Sequence, residues 1–231
     1  MASPDDVIER DAAREQWSAV ERYVTDLIVH SDSALDAAVD TATAAGLPQI
    51  SVSPTEGKLL YLLALIRGAR NILEIGTLGA YSTIWLARAL PPGGRLITLE
   101  SNPAHATVAR ENIERAGLTD VVDLRIGLAL DMLPGIATEG LKFDLTFIDA
   151  DKANIPKYFE WAVRMSEPGA LIIVDNVVRD GRVIDDVSDD PSIRGVRRFN
   201  EILAQSDRVA ATTIQTVGSK GYDGFTLAVV S

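Results

Sequence analysis

Two apolar runs end in acid. They are Phe143-Asp144-Leu145-Thr146-Phe147-Ile148-Asp149 and Ala170-Leu171-Ile172-Ile173-Val174-Asp175-Asn176. If both are parallel strands, Asp149, Asp175 and Asn176 gather at the carboxyl edge of one sheet, where open α/β folds bind ligands. Two carboxylates and an amide make an oxygen-only donor set suited to a hard divalent cation, Mg²⁺ first, with Mn²⁺ and Ca²⁺ also compatible. Such a site keeps coordination positions open for two adjacent oxygens of a small molecule. Lys152, three residues past Asp149, is placed to take a proton from a bound hydroxyl. Each residue has a structural alternative: strand-end aspartates cap helices, Asn176 suits a turn, and Lys152 could pair with Asp151 at the surface. It is the convergence of all four on adjacent strand ends that points to chemistry.

A second cluster surrounds Glu74-Ile75-Gly76-Thr77-Leu78-Gly79-Ala80-Tyr81-Ser82. Its glycines are three apart and lack the G-x-G-x-x-G spacing that seats a pyrophosphate on a helix N-terminus. An acid just before the turn disfavours phosphate and favours a cationic, polyhydroxyl ligand. S-adenosylmethionine has that character: a sulfonium, an ammonium, a ribose and no phosphate. Glu74 would sit near its methionyl part, and Gly76 would let the backbone come close. Glu100, ending the next strand, could accept the ribose hydroxyls.

The elements that must position these groups follow from patterning. Alternating apolar strands and helices begin at Asn71, with strands expected at 71–75, 95–100, 121–126, 143–149 and 169–175. Helices are expected near 82–89, 103–116, 130–136, 154–165 and 193–206. Gly93-Gly94, Gly117 and Pro168-Gly169 mark connections. Two late β-rich runs, Val209–Val217 and Phe225–Val230, are separated by too few residues for a parallel crossover and must form an antiparallel hairpin. Upstream, residues from about Asp6 to Ala45 read as helical, Ser53-Pro54 starts another helix, and Leu59, Leu60, Leu62, Leu63 and Ile66 give it a broad apolar face. Residues 180–192 read as an exposed acidic loop. His30 and His105 look like neither ligands nor catalytic groups, and Trp85 and Trp161 read as core.

Bulk composition excludes several classes. The 231 residues, 47% of them hydrophobic, suffice for one α/β domain, read as an N-terminal helical extension over 1–50 and a core over 51–231. With 33 acids against 22 Lys and Arg, the net charge of −11 argues against nucleic acid. No cysteine is present, which removes thiolate metal sites and cysteine nucleophiles. No apolar run suits a membrane span, and the acidic start Met1-Ala2-Ser3-Pro4-Asp5-Asp6 lacks signal-peptide character, so a cytoplasmic protein is expected.

Ile72-Leu73-Glu74-Ile75-Gly76-Thr77, Phe147-Ile148-Asp149-Ala150-Asp151-Lys152, Val174-Asp175-Asn176 and the closing Lys220-Gly221-Tyr222-Asp223-Gly224-Phe225 resemble the cation-dependent S-adenosylmethionine O-methyltransferases, the family of caffeoyl-CoA and catechol O-methyltransferases. The likeness runs from about Val52 to the end. It implies a Rossmann-like α/β fold with a mostly parallel seven-stranded sheet closed by an antiparallel hairpin, a homodimer, and methyl transfer to a small phenolic substrate. It assigns Asp149, Asp175 and Asn176 to the metal, and Lys152 and Asp149 to catalysis. Val52, Glu74, Gly76, Thr77, Ser82, Glu100, Ala129 and Asp149 fall to the cofactor, and Asp180 lies near the substrate. Ile155 departs from the Tyr of many relatives, and Val52 replaces a hydroxyl residue. A nucleotide-dependent oxidoreductase and a non-catalytic module remain as alternatives; the glycine spacing opposes the first, and the complete set of site residues opposes the second.

Overall fold

The computed structural model describes residues 4–231, with side chains from residue 11 onward. Met1, Ala2 and Ser3, part of the stretch read as lacking a signal peptide, lie outside the described residues. Helix α1 (Pro4–Val24) continues into a π-helical turn at Thr25–Val29 that ends on left-handed His30. Helix α2 (Ser33–Ala44) starts from Asp32, whose carboxylate accepts the N–H groups of Ala34 and Leu35. Helix α3 (Pro54–Arg67) opens on a full capping box: Ser53 Oγ accepts from the Glu56 N–H, and Glu56 Oε2 accepts from the Ser53 N–H at 2.9 Å. That start was readable from Ser53-Pro54. The apolar residues expected to make one broad face of α3 are divided instead: Leu60 is buried, while Leu62 and Ile66 point outward.

Beyond α3, strands and helices alternate as β1 (Asn71–Ile75), α4 (Tyr81–Ala87), β2 (Arg95–Glu100), α5 (Pro103–Arg115), β3 (Val122–Ile126), α6 (Ala129–Thr138), β4 (Phe143–Ile148), α7 (Ile155–Arg164), β5 (Ser166–Asp175), α8 (Pro191–Gln205), β6 (Val209–Gly218) and β7 (Gly221–Val230). The seven strands lie in the order β3-β2-β1-β4-β5-β7-β6. Strands β1 to β5 run parallel, and β7 is antiparallel to both β5 and β6, the hairpin closure expected from its short connection. Side chains alternate across the sheet, so Ile72, Phe147 and Ile173 pack beneath α2 to α5 while Leu73, Ile148 and Ile172 pack against α6 to α8. Both faces are covered, which explains the continuous apolar runs.

One boundary differs from expectation. Strand β5 begins at Ser166, before Pro168-Gly169, and the pairing register with β4 shifts between Phe143 and Leu145. Pro168 has no N–H to donate and Gly169 takes a φ of +85°, so the pair is carried as an irregularity within the strand and ends nothing. Regular pairing resumes at Leu145↔Leu171 and runs to Ile148↔Val174, while β1 matches Ile75 to Ile148. Gly76, Asp149 and Asp175 therefore leave the sheet at one level. Among the described residues no helix is long and apolar enough to cross a membrane.

The chain leaving β5 is unusual. Asn176, Arg179 and Asp180 all have φ near +57°, a conformation costly for residues with a Cβ. Asp223 on β7 holds it: its Oδ1 accepts the N–H groups of Val178 (2.9 Å), Arg179 (2.8 Å) and Gly224 (3.0 Å). The closing Asp-Gly pair of the sequence is thus a backbone clamp. Asp223→Ala is expected to cost about 1.5–3 kcal/mol, the range for hydrogen bonds to a charged group, visible as a fall in Tm of roughly 5–10 °C. Asp223→Asn, which keeps an accepting oxygen, should lose less. An unchanged Tm for the alanine variant would show that the loop is held by something else.

Candidate active site

The site is built where β1, β4 and β5 end. Gly76 has a φ of +100°, and a Cβ there would lie 2.0 Å from the Asp149 carbonyl oxygen. Only glycine lets the turn after β1 cross the end of β4 so closely. The Asp149 N–H donates to the Ile75 carbonyl at 2.9 Å, locking the two strand ends together. Beyond Gly76, the turn runs through left-handed Leu78 and Ala80 into α4, and the Asn112 amide donates to the Gly79 carbonyl at 3.0 Å.

A cleft of about 570 Å³ opens above this turn. Of the residues assigned to the cofactor, Val52, Gly76, Thr77, Ser82, Glu100, Ala129 and Asp149 line it, as do Lys152 and Asn176. Glu74 does not. It is fully buried under the turn, where its carboxylate accepts the hydroxyls of Ser82 (2.7 Å), Thr83 (2.5 Å) and Thr98 (2.7 Å). Burial lifts its carboxyl to about 7 despite those three hydroxyls. Glu74, expected near the methionyl part of the ligand, thus lies below the cleft wall and meets the cleft through Ser82. The strand alternation that sends Leu73 to one face sends Glu74 to the opposite one, beneath α4.

Glu100 does sit in the wall. Its Oε2 accepts the Leu78 N–H at 2.8 Å and the Thr77 N–H at 3.3 Å, and its Oε1 accepts the Asn102 N–H at 2.8 Å. A carboxylate offers about four lone-pair sites, so some capacity remains for a ligand hydroxyl. His105 lines the same wall, with Nδ1 3.6 Å from Glu100 Oε1. Sequence reasoning set His105 aside as helical surroundings; the available signal was its place in the first turn of the helix that follows the acid ending β2.

A second cavity, about 440 Å³, lies on the other side of the β5 end. Asp175, Asn176, Glu56, Leu59 and Phe225 line it, and it shares Ile50, Ser51, Val52, Asn176 and Arg179 with the first. Asn176 and its neighbours thus stand between the two spaces. Asp180, the residue assigned to substrate, lines neither; it is half-exposed and faces Arg14 of α1 at 3.9 Å. Arg179, unremarked in the sequence, lines both. Ile155 is fully buried in the core, and the Tyr158 hydroxyl, in the cleft wall, bonds to Asp151.

The electrostatics fit a cation. Lys152 is buried, and its Nζ donates to Asp149 Oδ1 at 2.7 Å, so the surface pairing with Asp151 does not occur. Asp175 is buried as well. Desolvation, then the nearby carboxylates of Asp149 and Glu56, push its carboxyl well above the ordinary range, opposed by Lys152. Three acids therefore compete for one desolvated volume with a single ammonium among them. Asp149, Asp175 and the Asn176 amide are the oxygens that a divalent ion would use. Among the described residues no three His, Cys, Asp or Glu side chains are grouped to hold a metal ion; Asn176 is the amide that follows Asp175 at this edge. Lys152 is held from behind by α8, where a Cβ at Gly195 would lie 2.2 Å from the Lys152 carbonyl oxygen.

The O-methyltransferase family model matches residues 28–229. A catechol O-methyltransferase from Niastella koreensis is 54% identical over 215 residues, covering 93% of this chain and 97% of that protein. One from Mycobacterium tuberculosis is 50% identical over 211 residues, covering 91% and 94%. The crystal structure of an O-methyltransferase from Bacillus cereus in complex with SAH is 59% identical and superposes with a TM-score of 0.93 over 94% of this chain and 99% of that one. The chain belongs to this O-methyltransferase family, as its motifs implied.

The buried carboxyl makes a pH test possible. A carboxyl raised from 4.5 to about 7 by folding contributes stability that is complete below 4.5 and is lost as pH rises through about 7. Glu74→Gln lacks that titration. The difference in unfolding free energy between Glu74→Gln and the parent, from denaturant melts, should therefore shift in favour of the variant from pH 5 to 8, by an amount on the order of 3 kcal/mol. A flat difference across that range would show that Glu74 does not titrate there.

Proposed function

We propose that this O-methyltransferase moves a methyl group from S-adenosylmethionine to one hydroxyl of a catechol-like, vicinal dihydroxyaryl compound, assisted by a divalent cation on Asp149, Asp175 and Asn176. Mg²⁺ is the first choice, with Mn²⁺ and Ca²⁺ as alternatives. The observation carrying this reading is the 2.7 Å contact between Lys152 and Asp149 in the wall of the first cavity, which meets the second at Asn176. A donor in the first space and an acceptor in the second would meet beside one base and two carboxylates.

The geometry supports a role for each residue. Gly76 and Thr77 bring backbone against the donor, Ser82 is aimed by Glu74, and Glu100 accepts a ribose hydroxyl. S-adenosylmethionine supplies the electrophilic methyl, and a bound divalent ion would lower the pKa of a chelated hydroxyl. With a divalent ion bound beside it, Lys152 would serve as the base that takes the hydroxyl proton, and the ammonium then formed lies against the Asp149 carboxylate. Ile50, exposed at the mouth of both cavities, and Leu59 and Phe225 offer apolar surface to an aromatic ring. Holding the oxygen in line behind the sulfonium methyl is then a matter of position.

We further propose that two copies associate. Val20, Tyr23, Leu27 and Ile28 on α1 and its π turn, and Leu62, Leu65 and Ile66 on α3, are exposed, and the π turn packs on α3. Exposed apolar side chains gathered on a chain of net charge −11 offer a place where two copies can meet. Light scattering should give twice 24.8 kDa, and Leu27→Glu should move it toward the monomer. A parent chain that stays monomeric at micromolar concentration would end this proposal.

Methyl transfer to a catechol is expected to vanish after verified metal removal with EDTA and to return with Mg²⁺. Lys152→Ala should lower kcat by about 10²- to 10⁴-fold, the usual share of a general base, while titration calorimetry finds S-adenosylmethionine bound as before. Full turnover by the metal-free protein, or full kcat in the alanine variant, would defeat the mechanism.

A further inference from the structure

The second cavity is lined by acids and by two cations, Arg179 and Lys220. The acids already have partners. Glu21 Oε1 accepts the Thr55 hydroxyl at 2.7 Å and its Oε2 the Ser219 N–H at 2.5 Å, contacts that hold its carboxyl at about 2 although burial alone would raise it. Glu56 caps α3 through Ser53, and Asp223 Oδ1 takes three backbone N–H groups. Asp175 accepts the Asn176 N–H at 2.7 Å and sits among the proposed metal ligands.

Arg179 stands apart from this pattern. A guanidinium carries five N–H donors and no acceptor. Among the described residues, none of the five makes a hydrogen bond; the nearest acid, Asp223 Oδ2, is 3.7 Å from the guanidinium, beyond hydrogen-bond range. Its Nε is buried without a partner. Unmet buried donors are costly, and guanidinium geometry suits a carboxylate through paired N–H bonds. Lys220 is also underused, giving one bond to the Gln49 carbonyl at 3.1 Å. The unused capacity of this polar wall is therefore donor capacity. A ligand that completes it presents acceptors, and a full negative charge pairs best with these two cations, the acids of the wall being engaged by donors of their own.

On that basis, and resting on the catechol reading above, we infer that the acceptor is a vicinal dihydroxyaryl compound bearing a carboxylate, which Arg179 recognises and Lys220 assists. Arg179 is thereby a specificity-determining residue for the acceptor. The backbone that carries it is left-handed at φ +58° and is fixed by the same Asp223 that leaves its guanidinium unbonded.

The test compares 3,4-dihydroxybenzoate with its neutral methyl ester, in the presence of Mg²⁺ and S-adenosylmethionine. The parent protein should prefer the acid in kcat/KM. Arg179→Gln should lower the acid-to-ester ratio of kcat/KM by about ten- to a hundredfold, the span of a lost charge-assisted hydrogen bond. Lys220→Gln should lower it less. Arg198→Gln, which removes an equal charge from an exposed pair with Glu201, should leave the ratio unchanged. Taking a ratio within each variant keeps the result readable if Arg179→Gln loses overall activity. A parent preference for the ester, an unchanged ratio in Arg179→Gln, or a rise in the KM for S-adenosylmethionine in place of a fall in the ratio would overturn the assignment; the last would place Arg179 on the donor. Methylation of neither compound, nor of unsubstituted catechol, would overturn the catechol reading itself.

Discussion

Like charge held out of water organises this protein's site. Asp149, Asp175 and Glu56 crowd the carboxyl edge of the sheet with one ammonium, Lys152, to balance them. Charges of one sign in a desolvated volume repel strongly and favour protonation or a counter-cation. Such a cluster persists because strong local structure fixes each member. Glu56 belongs to the α3 capping box, Asp149 is tied to Ile75, and Asp175 ends a strand paired on both sides. The same repulsion that makes the cluster costly makes it a place where a divalent ion would be welcome.

The supports of the cluster lie outside it. Gly76 and Gly195 each allow a backbone approach that a Cβ would block, the first setting the donor turn against β4 and the second setting α8 against Lys152. Asp223 restrains the left-handed segment that brings Arg179 to the wall between the cavities. Glu74 works from below, its carboxylate accepting the Ser82 hydroxyl and so fixing that side chain in the cleft wall. Small shifts in any of these supports would move reacting groups by distances that matter for in-line transfer. Residues that support the site through the backbone or through a neighbour are therefore as closely specified as those whose side chains face it.

The strands were legible because helices cover both faces of the sheet, so β1, β2 and β4 are nearly continuous apolar runs whose ends show plainly. The acid endings Asp149, Asp175 and Glu100 could be read for the same reason. The start of β5 could not: Pro168-Gly169 has the chemistry of a turn, and only pairing with β4 carries it inside a strand. Asp180 and Arg179 are neighbours in a left-handed segment, and nothing in their order tells which side chain turns toward the cavities. The outward face of α1 was equally hidden, since helical spacing shows that an apolar stripe exists without showing what it meets.

By itself the order of residues determined the alternation of elements, the antiparallel closing hairpin, the capped start of α3 and the set of acids able to serve one edge, because these depend on local periodicity, turn chemistry and chain length. Tertiary structure decided which of those side chains share a space. Glu74 went under the turn and Lys152 onto Asp149, while Arg179 reached the cavities and Asp180 turned to Arg14. Those outcomes depend on strand register, on backbone approaches that only glycine allows, and on hydrogen bonds between residues far apart in the chain, none of which acts until the sheet has formed.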